Sequence, residues 1–179
     1  MSDMPEELVN RTQRQSGHEP TATLTLDAYR RLKAELEDLK TEGRPRITER
    51  IKTAREFGDI RENAEYDAAK NEQGLMEARI RTLEHMLRDP DIVEAPVDAD
   101  AVSPGMLVTV LPLDEEDPEE EVYLFADSAE ERAPGARTVT RTSPLGAAID
   151  GAPRGAEVVY QAPGGSFRYR VVDLRPFTG

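Results

Sequence analysis

Asp59 and Glu62 stand three residues apart in the run Phe57-Gly58-Asp59-Ile60-Arg61-Glu62-Asn63. Two carboxylates at that spacing have two uses. With Asp59 as the first cap, D-x-x-E is the spacing of a capping box, in which one acid caps a helix and the other reaches back. Both acids would then lie where the helix dipole favours negative charge. As ligands, the same pair is enough for a Mg²⁺ ion, which is usually held by one or two protein carboxylates together with water and phosphate oxygens. The two uses are compatible, because one carboxylate oxygen can cap while the other faces solvent. No other stretch offers a catalytic constellation. Cysteine is absent, which removes thiol nucleophiles and thiolate zinc sites. His18 and His85 share no metal-ligand spacing and read as surface residues.

The elements that must position these acids read as two helical arms. Thr25 is a suitable N-cap for a helix that starts at Leu26. Tyr29, Leu32, Leu36 and Leu39 follow at spacings of 3, 4 and 3, the seam of a two-helix coil. Gly43-Arg44-Pro45 interrupts the series, which resumes one residue out of phase at Ile47, Ile51 and Ala54. The pattern predicts one long helix bent near Pro45. Gly58 ends this arm as a glycine cap. The second arm carries Ala69, Gln73, Met76, Ile80, Leu83 and Leu87, and Pro90 stops it. Arms of about 30 residues joined by a short turn predict an antiparallel hairpin roughly 45 Å long, with the acids at its tip.

The remaining chain predicts a second domain and gives an α+β protein. Residues 1–23 read as a flexible tail, 24–88 as the coiled-coil hairpin with its acidic tip at 58–63, and 89–104 as a linker rich in Asp and Pro. Residues 105–177 change to short β-rich runs: 106–111, 121–125, 137–142, 157–161 and 167–174. The segment 144–149 predicts one short helix, and the sheet is expected to be mainly antiparallel. The densely acidic insert from Asp114 to Glu121 reads as a solvated loop, because its like charges repel, with a metal site as the alternative. Net charge is −13, placed unevenly: residues 25–88 hold 14 basic and 14 acidic side chains, whereas 89–179 hold 7 against 18. Such a C-terminal half repels free nucleic acid, so any action there is expected through a protein partner. No apolar run reaches the roughly 18 residues that span a bilayer, which predicts a soluble, cytoplasmic protein with no membrane partner.

The segment 54–70, Ala-Arg-Glu-Phe-Gly-Asp-Ile-Arg-Glu-Asn-Ala-Glu-Tyr-Asp-Ala-Ala-Lys, resembles the bacterial Gre transcript-cleavage factors, most like their GreA branch. Glu72-Gln73-Gly74, Glu77-Ala78-Arg79-Ile80 and Arg44-Pro45 extend the likeness. Ser143-Pro144-Leu145-Gly146 and Ala162-Pro163-Gly164-Gly165 add weaker matches, so that it covers residues 24–177. The resemblance implies a coiled coil that enters the secondary channel of bacterial RNA polymerase and an FKBP-like C-terminal domain that docks on the channel rim. It implies a factor and not an enzyme: the polymerase cleaves the nascent RNA of backtracked complexes while the tip helps hold a catalytic Mg²⁺. The two tip acids of the family fall on Asp59 and Glu62. The chain alone is expected to carry no cofactor and to be a monomer, meeting the RNA 3′ end only inside the polymerase.

Other positions carry paired readings. Arg55 and Lys70 match basic positions that the family directs at extruded RNA, or are ordinary surface charge of a helical hairpin. Tyr66 either packs against the tip turn or contacts RNA or polymerase, and Asn63 either shapes the turn or joins the contact. Asp67 stands where many members have histidine and adds a third acid. Two alternative functions compete: a relative that occupies the channel and inhibits without cleavage, and a peptidyl-prolyl isomerase. The second rests on fold alone, which does not carry activity.

Overall fold

The computed structural model describes residues 5–9, 19–56, 64–94 and 100–177. In chain order the elements are α1 (Glu6–Val9), β1 (Thr23–Leu24), α2 (Leu26–Asp38), a π-helical turn (Leu39–Gly43), α3 (Arg44–Glu56), α4 (Ala64–Met86), β2 (Asp91–Ile92), β3 (Met106–Pro112), β4 (Glu121–Ala126), β5 (Arg137–Thr140), α5 (Pro144–Ile149), β6 (Glu157–Ala162) and β7 (Gly165–Pro176). The protein is α+β, as its sequence predicts. It divides into a hairpin unit, residues 15–22 and 29–90, and a sheet unit, residues 1–14, 23–28 and 91–179.

In the hairpin unit, α2 and α3 run antiparallel to α4. Glu35 pairs with Arg79, Arg44 with Glu77 and Arg50 with Glu72 and Glu65, partner numbers falling along one arm as they rise along the other. Between the arms lie Leu32, Ile47, Ile51, Ala54, Ala69, Ile80 and Leu83, all buried. These are the predicted seam positions. The phase slip between Leu39 and Ile47 has a different cause from the one expected. It is absorbed by the π-helical turn, in which the Arg44 N–H bonds the Leu39 carbonyl five residues back. One extra residue per turn restores the seam without a break. Pro45 then falls in the first turn of α3, where the wide turn has already interrupted the i→i−4 ladder. Gly43 is buried at this point, and a Cβ there would lie 3.0 Å from the Met76 sulfur on α4.

The sheet unit is built on five strands in the order β5-β4-β3-β7-β6. All pairs are antiparallel except β4 with β5. All five predicted strands appear within two residues of the expected ends, β7 being longer by two residues at each end. Strand β3 alternates buried and half-buried residues, so Met106, Val108 and Val110 face one core with Phe125, Val171, Leu145 and Ile149. Helix α5 begins where predicted because Ser143 caps it: its Oγ accepts from the Gly146 N–H at 3.1 Å and donates to the Thr140 carbonyl at 2.7 Å. The acidic insert is exposed from Asp114 to Glu120, with Asp114 holding the Arg168 guanidinium at 2.8 Å.

Two predicted segments contribute more than expected. The 89–104 linker supplies β2, which pairs in parallel with β1, and buried Val102, which is hydrogen-bonded to Ala152. Glu6–Val9 of the predicted tail form α1, with Leu8 buried. Strand β2 and Val102 depend on partners remote in sequence, which local composition does not reveal.

Two consequences are measurable. A Cβ on Gly146 would stand 1.9 Å from the Thr140 carbonyl oxygen, a backbone atom that cannot swing aside. Gly146→Ala is therefore expected to destabilise the protein by about 3 kcal/mol, the upper end of ordinary overpacking; an unchanged urea midpoint would refute this. The second concerns phenols. Burial first, then the Glu121 hydrogen bond, raises the Tyr123 pKa, and burial with the nearby Glu121 charge pushes Tyr169 up to about 12. The fold favours the neutral phenols, so their contribution is complete below the unfolded value of about 10 and is lost as pH rises above it. Phenolate absorbance, taken as the difference from Tyr123→Phe and Tyr169→Phe, should rise only well above that value; ionisation near 10 with the sheet intact would contradict the assignment.

Candidate functional site

Asp59, Glu62 and Asn63, with the predicted Gly58 cap, lie outside the described residues. What the structure defines is the pair of helix ends that lead to them: α3 up to Glu56 and α4 from Ala64. The arms stay close here because the residue between them is small. Ala69 is fully buried against Ile47 and Ile51, and Tyr66 and Met76 pack on the same cluster. A bulkier side chain at 69 would force the helices apart.

Tyr66 packs on the seam cluster, whereas the tip turn it was expected to pack against lies outside the described residues. Its half-buried ring lies against this cluster, and the Arg55 guanidinium sits 5.6 Å from the ring centroid, joining α3 to α4 by a cation–π contact. Arg50 adds a second clasp, bonding Glu65 at 2.7 Å and reaching Glu72 as well. Burial and charge pairing thus hold the last turns on both sides of the acidic run.

Arg55 and Lys70 come together. They line one groove of ≈ 560 Å³ that crosses from α3 to α4, with Ile51, Lys52, Glu56 and Gln73 also on its walls. Lys70 Nζ donates to Gln73 Oε1 at 2.6 Å, which tethers the ammonium to its own helix. Three cations and one carboxylate on an open wall give a locally positive surface in a unit whose charges otherwise balance. Lys52 was missed by sequence reasoning. The signal was available: it precedes Arg55 by three residues, hence shares its helix face. Asp67 is exposed, as is His85. Among the described residues, no three or more His, Cys, Asp or Glu side chains gather to hold a metal ion. Nor is any helix there long and apolar enough to cross a membrane.

Further along the hairpin, charge pairing is dense. Arg44 bonds Glu77 through two nitrogens, each at 2.8 Å, and Lys40 reaches Glu84 at 2.6 Å. These bonds hold both glutamates below their ordinary carboxylate values and raise Arg44. Such exposed pairs set register more than stability.

Family models match both parts of the chain. Residues 22–92 match the N-terminal domain of transcription elongation factors, and residues 97–176 match the GreA/GreB C-terminal domain. The transcription elongation factor GreA of Staphylococcus aureus (strain JH9) is 40% identical over 153 residues, covering 85% of this chain and 95% of that protein. The same values hold for GreA of strain Newman. Among solved structures, GreA factor homolog 1 of Thermus thermophilus is similar at 25% identity, covering 88% of this chain and 99% of that one with a TM-score of 0.38. Two matched domain models and a relative aligned over nearly its whole length establish the kinship: the chain belongs to the GreA/GreB family of transcription elongation factors.

Proposed function

We propose that this chain enters the secondary channel of bacterial RNA polymerase, hairpin first, and stimulates the polymerase's own cleavage of nascent RNA in backtracked complexes. The observation that carries the reading is the convergence of two clasped helix ends on a seven-residue run with Asp59 and Glu62, beside a groove with Lys52, Arg55 and Lys70. Asp59 and Glu62 offer hard oxygen donors, the set that suits Mg²⁺. Asp59 and Glu62 would hold a Mg²⁺ shared with the polymerase, and that ion would supply metal-assisted hydrolysis of the RNA.

The chain's own part is positioning. Arg55 and Lys70, with Lys52, attract the phosphates of the extruded 3′ end and hold them beside the acids. Tyr66 keeps the arms together, and Asn63 shapes the turn. Catalysis stays with the polymerase, so the chain is a factor and not an enzyme. The acidity of residues 89–179 argues against binding free nucleic acid and for a protein partner met in the cytoplasm, by a monomer.

The test is a backtracked polymerase complex with labelled RNA. Asp59→Asn and Glu62→Gln should each slow transcript shortening at least about tenfold, worth about 1.4 kcal/mol of barrier, with polymerase affinity and helix content unchanged. Asp59→Ser separates the two uses of the acid, since serine caps a helix well but is a poor Mg²⁺ ligand. Cleavage by the Ser variant at the wild-type rate would remove the metal role and leave only a cap. Slowed elongation with no shortened RNA would identify the channel-blocking alternative instead. Lys52→Ala combined with Lys70→Ala should weaken crosslinking to the RNA 3′ end and flatten its salt dependence; unchanged crosslinking would take the groove out of RNA contact.

A further inference from the structure

The first turn of α2 carries an arrangement that its own sequence leaves incomplete. In a capping box the N-cap hydroxyl accepts from the N–H three residues on, and an acid at that third position reaches back to the N-cap N–H. Thr25 performs the first half, its Oγ1 accepting from the Ala28 N–H at 3.2 Å. The second half fails locally, because the third position is Ala28, which has no acceptor and is fully buried. The missing carboxylate comes from 106 residues further on. Glu131 Oε1 accepts from the Thr25 N–H at 2.7 Å, and Oε2 accepts from the Thr25 hydroxyl at 2.7 Å.

Glu131 is 5% exposed and is the one buried charged side chain among the described residues. Burying a carboxylate is costly unless its oxygens are bonded, so such a group stays only where its partners are held in place. Here they are. The Glu131 N–H bonds the Ser128 carbonyl at 3.2 Å, and the Glu131 carbonyl accepts from the Thr138 hydroxyl at 2.6 Å on β5. Ser128 Oγ also accepts from the Glu130 N–H at 3.2 Å, so the β4–β5 loop is built around this residue. A ligand-binding role does not fit, because the adjoining cavity of ≈ 20 Å³ has room for about one water.

We propose that Glu131 is a positioning residue for transcript cleavage: it completes the α2 capping box within the sheet unit and thereby holds the first turn of the helix that continues toward Asp59. Residues 23–28 cluster with the sheet unit, and the same helix continues from Tyr29 into the hairpin unit. A two-point hold on the backbone and hydroxyl of Thr25 fixes both the place and the orientation of the first turn. Loss of Glu131 removes both of its bonds to Thr25 and loosens the first turn, leaving it the bond from the Ala28 N–H and the β1–β2 pairing just before it, without touching any residue near the tip. The proposal rests on the cleavage function above for its activity readout, but not for its structural one.

The experiment compares full-length wild type with Glu131→Ala, Glu131→Gln, Thr25→Val and Thr25→Ser. Hydrogen exchange of the free protein should show at least tenfold faster exchange over residues 24–30 in Glu131→Ala, with strands β3 and β4 protected as in wild type. In backtracked complexes at saturating protein, the same variant should shorten RNA at least fivefold more slowly, with its half-saturating concentration within twofold of wild type. Glu131→Gln still accepts from the Thr25 N–H and should stay within about twofold in both measurements, as should Thr25→Ser. Thr25→Val approaches the contact from its other side and should move both readouts as Glu131→Ala does, which covers the case where that variant does not fold. Wild-type exchange and cleavage in both Glu131→Ala and Thr25→Val would overturn the proposal. So would a Glu131→Gln protein whose whole sheet exchanges fast, since that marks a core role. If wild type itself shortens no RNA, the functional reading fails alone, and exchange at 24–30 still decides whether Glu131 holds the root.

Discussion

A pair of helices has only one seam in which to bury apolar surface, and everything else in the hairpin unit follows from that shortage. Isolated helices are marginal, and most helical stability comes from packing. Here each arm has one other helix to pack on. The seam is therefore filled without gaps: Leu32, Ile47, Ala54, Ala69, Ile80 and Leu83 are each 2% exposed or less. Phase has to be kept over the whole length, since a seam residue rotated to the outside cannot be replaced from another layer. The π-helical turn at Leu39–Gly43 is the local answer, taking up one surplus residue so that Ile47 and Ile51 still face Ala69.

The same shortage explains why the ends of the helices are closed by threonines. Four N–H groups at a helix start and four carbonyls at its end lack partners within the helix. A two-helix unit has no surrounding layers to supply them. Thr21 closes α4: its hydroxyl donates to the Met86 carbonyl at 3.0 Å and accepts from the Asp89 N–H at 3.1 Å, while its own N–H bonds the Asp89 carbonyl. Thr25 closes α2 with Glu131. Between the two threonines, Thr23 and Leu24 pair with Asp91 and Ile92 as β1 and β2. Five consecutive residues thus tie down both chain segments at the base, leaving the opposite ends of α3 and α4 to be held by Tyr66, Arg55 and Arg50.

How much of this could be read beforehand depended on whether the deciding contact was local. The five strands, the α5 helix, the Thr25 cap and the seam residues Leu32, Ile47, Ile51, Ala54, Ala69, Ile80 and Leu83 rest on spacing within a few residues and appear where the pattern put them; the Ser143 cap was not read beforehand. The bend at Pro45 was misplaced because proline is the conspicuous residue, while an extra residue in a turn shows only as a slip in phase. Strands β1 and β2 are two residues each and far apart in sequence, so no periodicity could announce them. Glu131 was invisible for the same reason. One glutamate among 36 acidic residues carries no local sign that its partner is 106 positions away. At the candidate site, the acids are named by family likeness, and the packing of Tyr66 on the seam was not read from the spacing. Lys52 was legible from its three-residue spacing to Arg55, but that Lys70 of the other arm shares its groove needed the third dimension.

The distribution of charge can be argued one step further. On the channel entry proposed above, the hairpin would meet carboxylates around the active site and phosphates on the RNA, so uniform charge of either sign would fail. Strong acidity would be repelled at entry, and strong basicity would bind any nucleic acid outside. The observed solution is internal neutralisation. Arg44, Arg50, Arg79 and Lys40 are each paired across the arms with glutamates, so most of the hairpin presents closed pairs and little net field. The groove carries Lys52, Arg55 and Lys70 against Glu56, on the helix ends that precede and follow the run with Asp59 and Glu62 in sequence. Attraction for phosphate is then felt over about a Debye length, roughly 8 Å at physiological salt. On the proposed function it would act on an RNA end already within the channel, and not on nucleic acid at large. The acidity of residues 89–179 adds to that discrimination by repelling free RNA and DNA from the rest of the molecule.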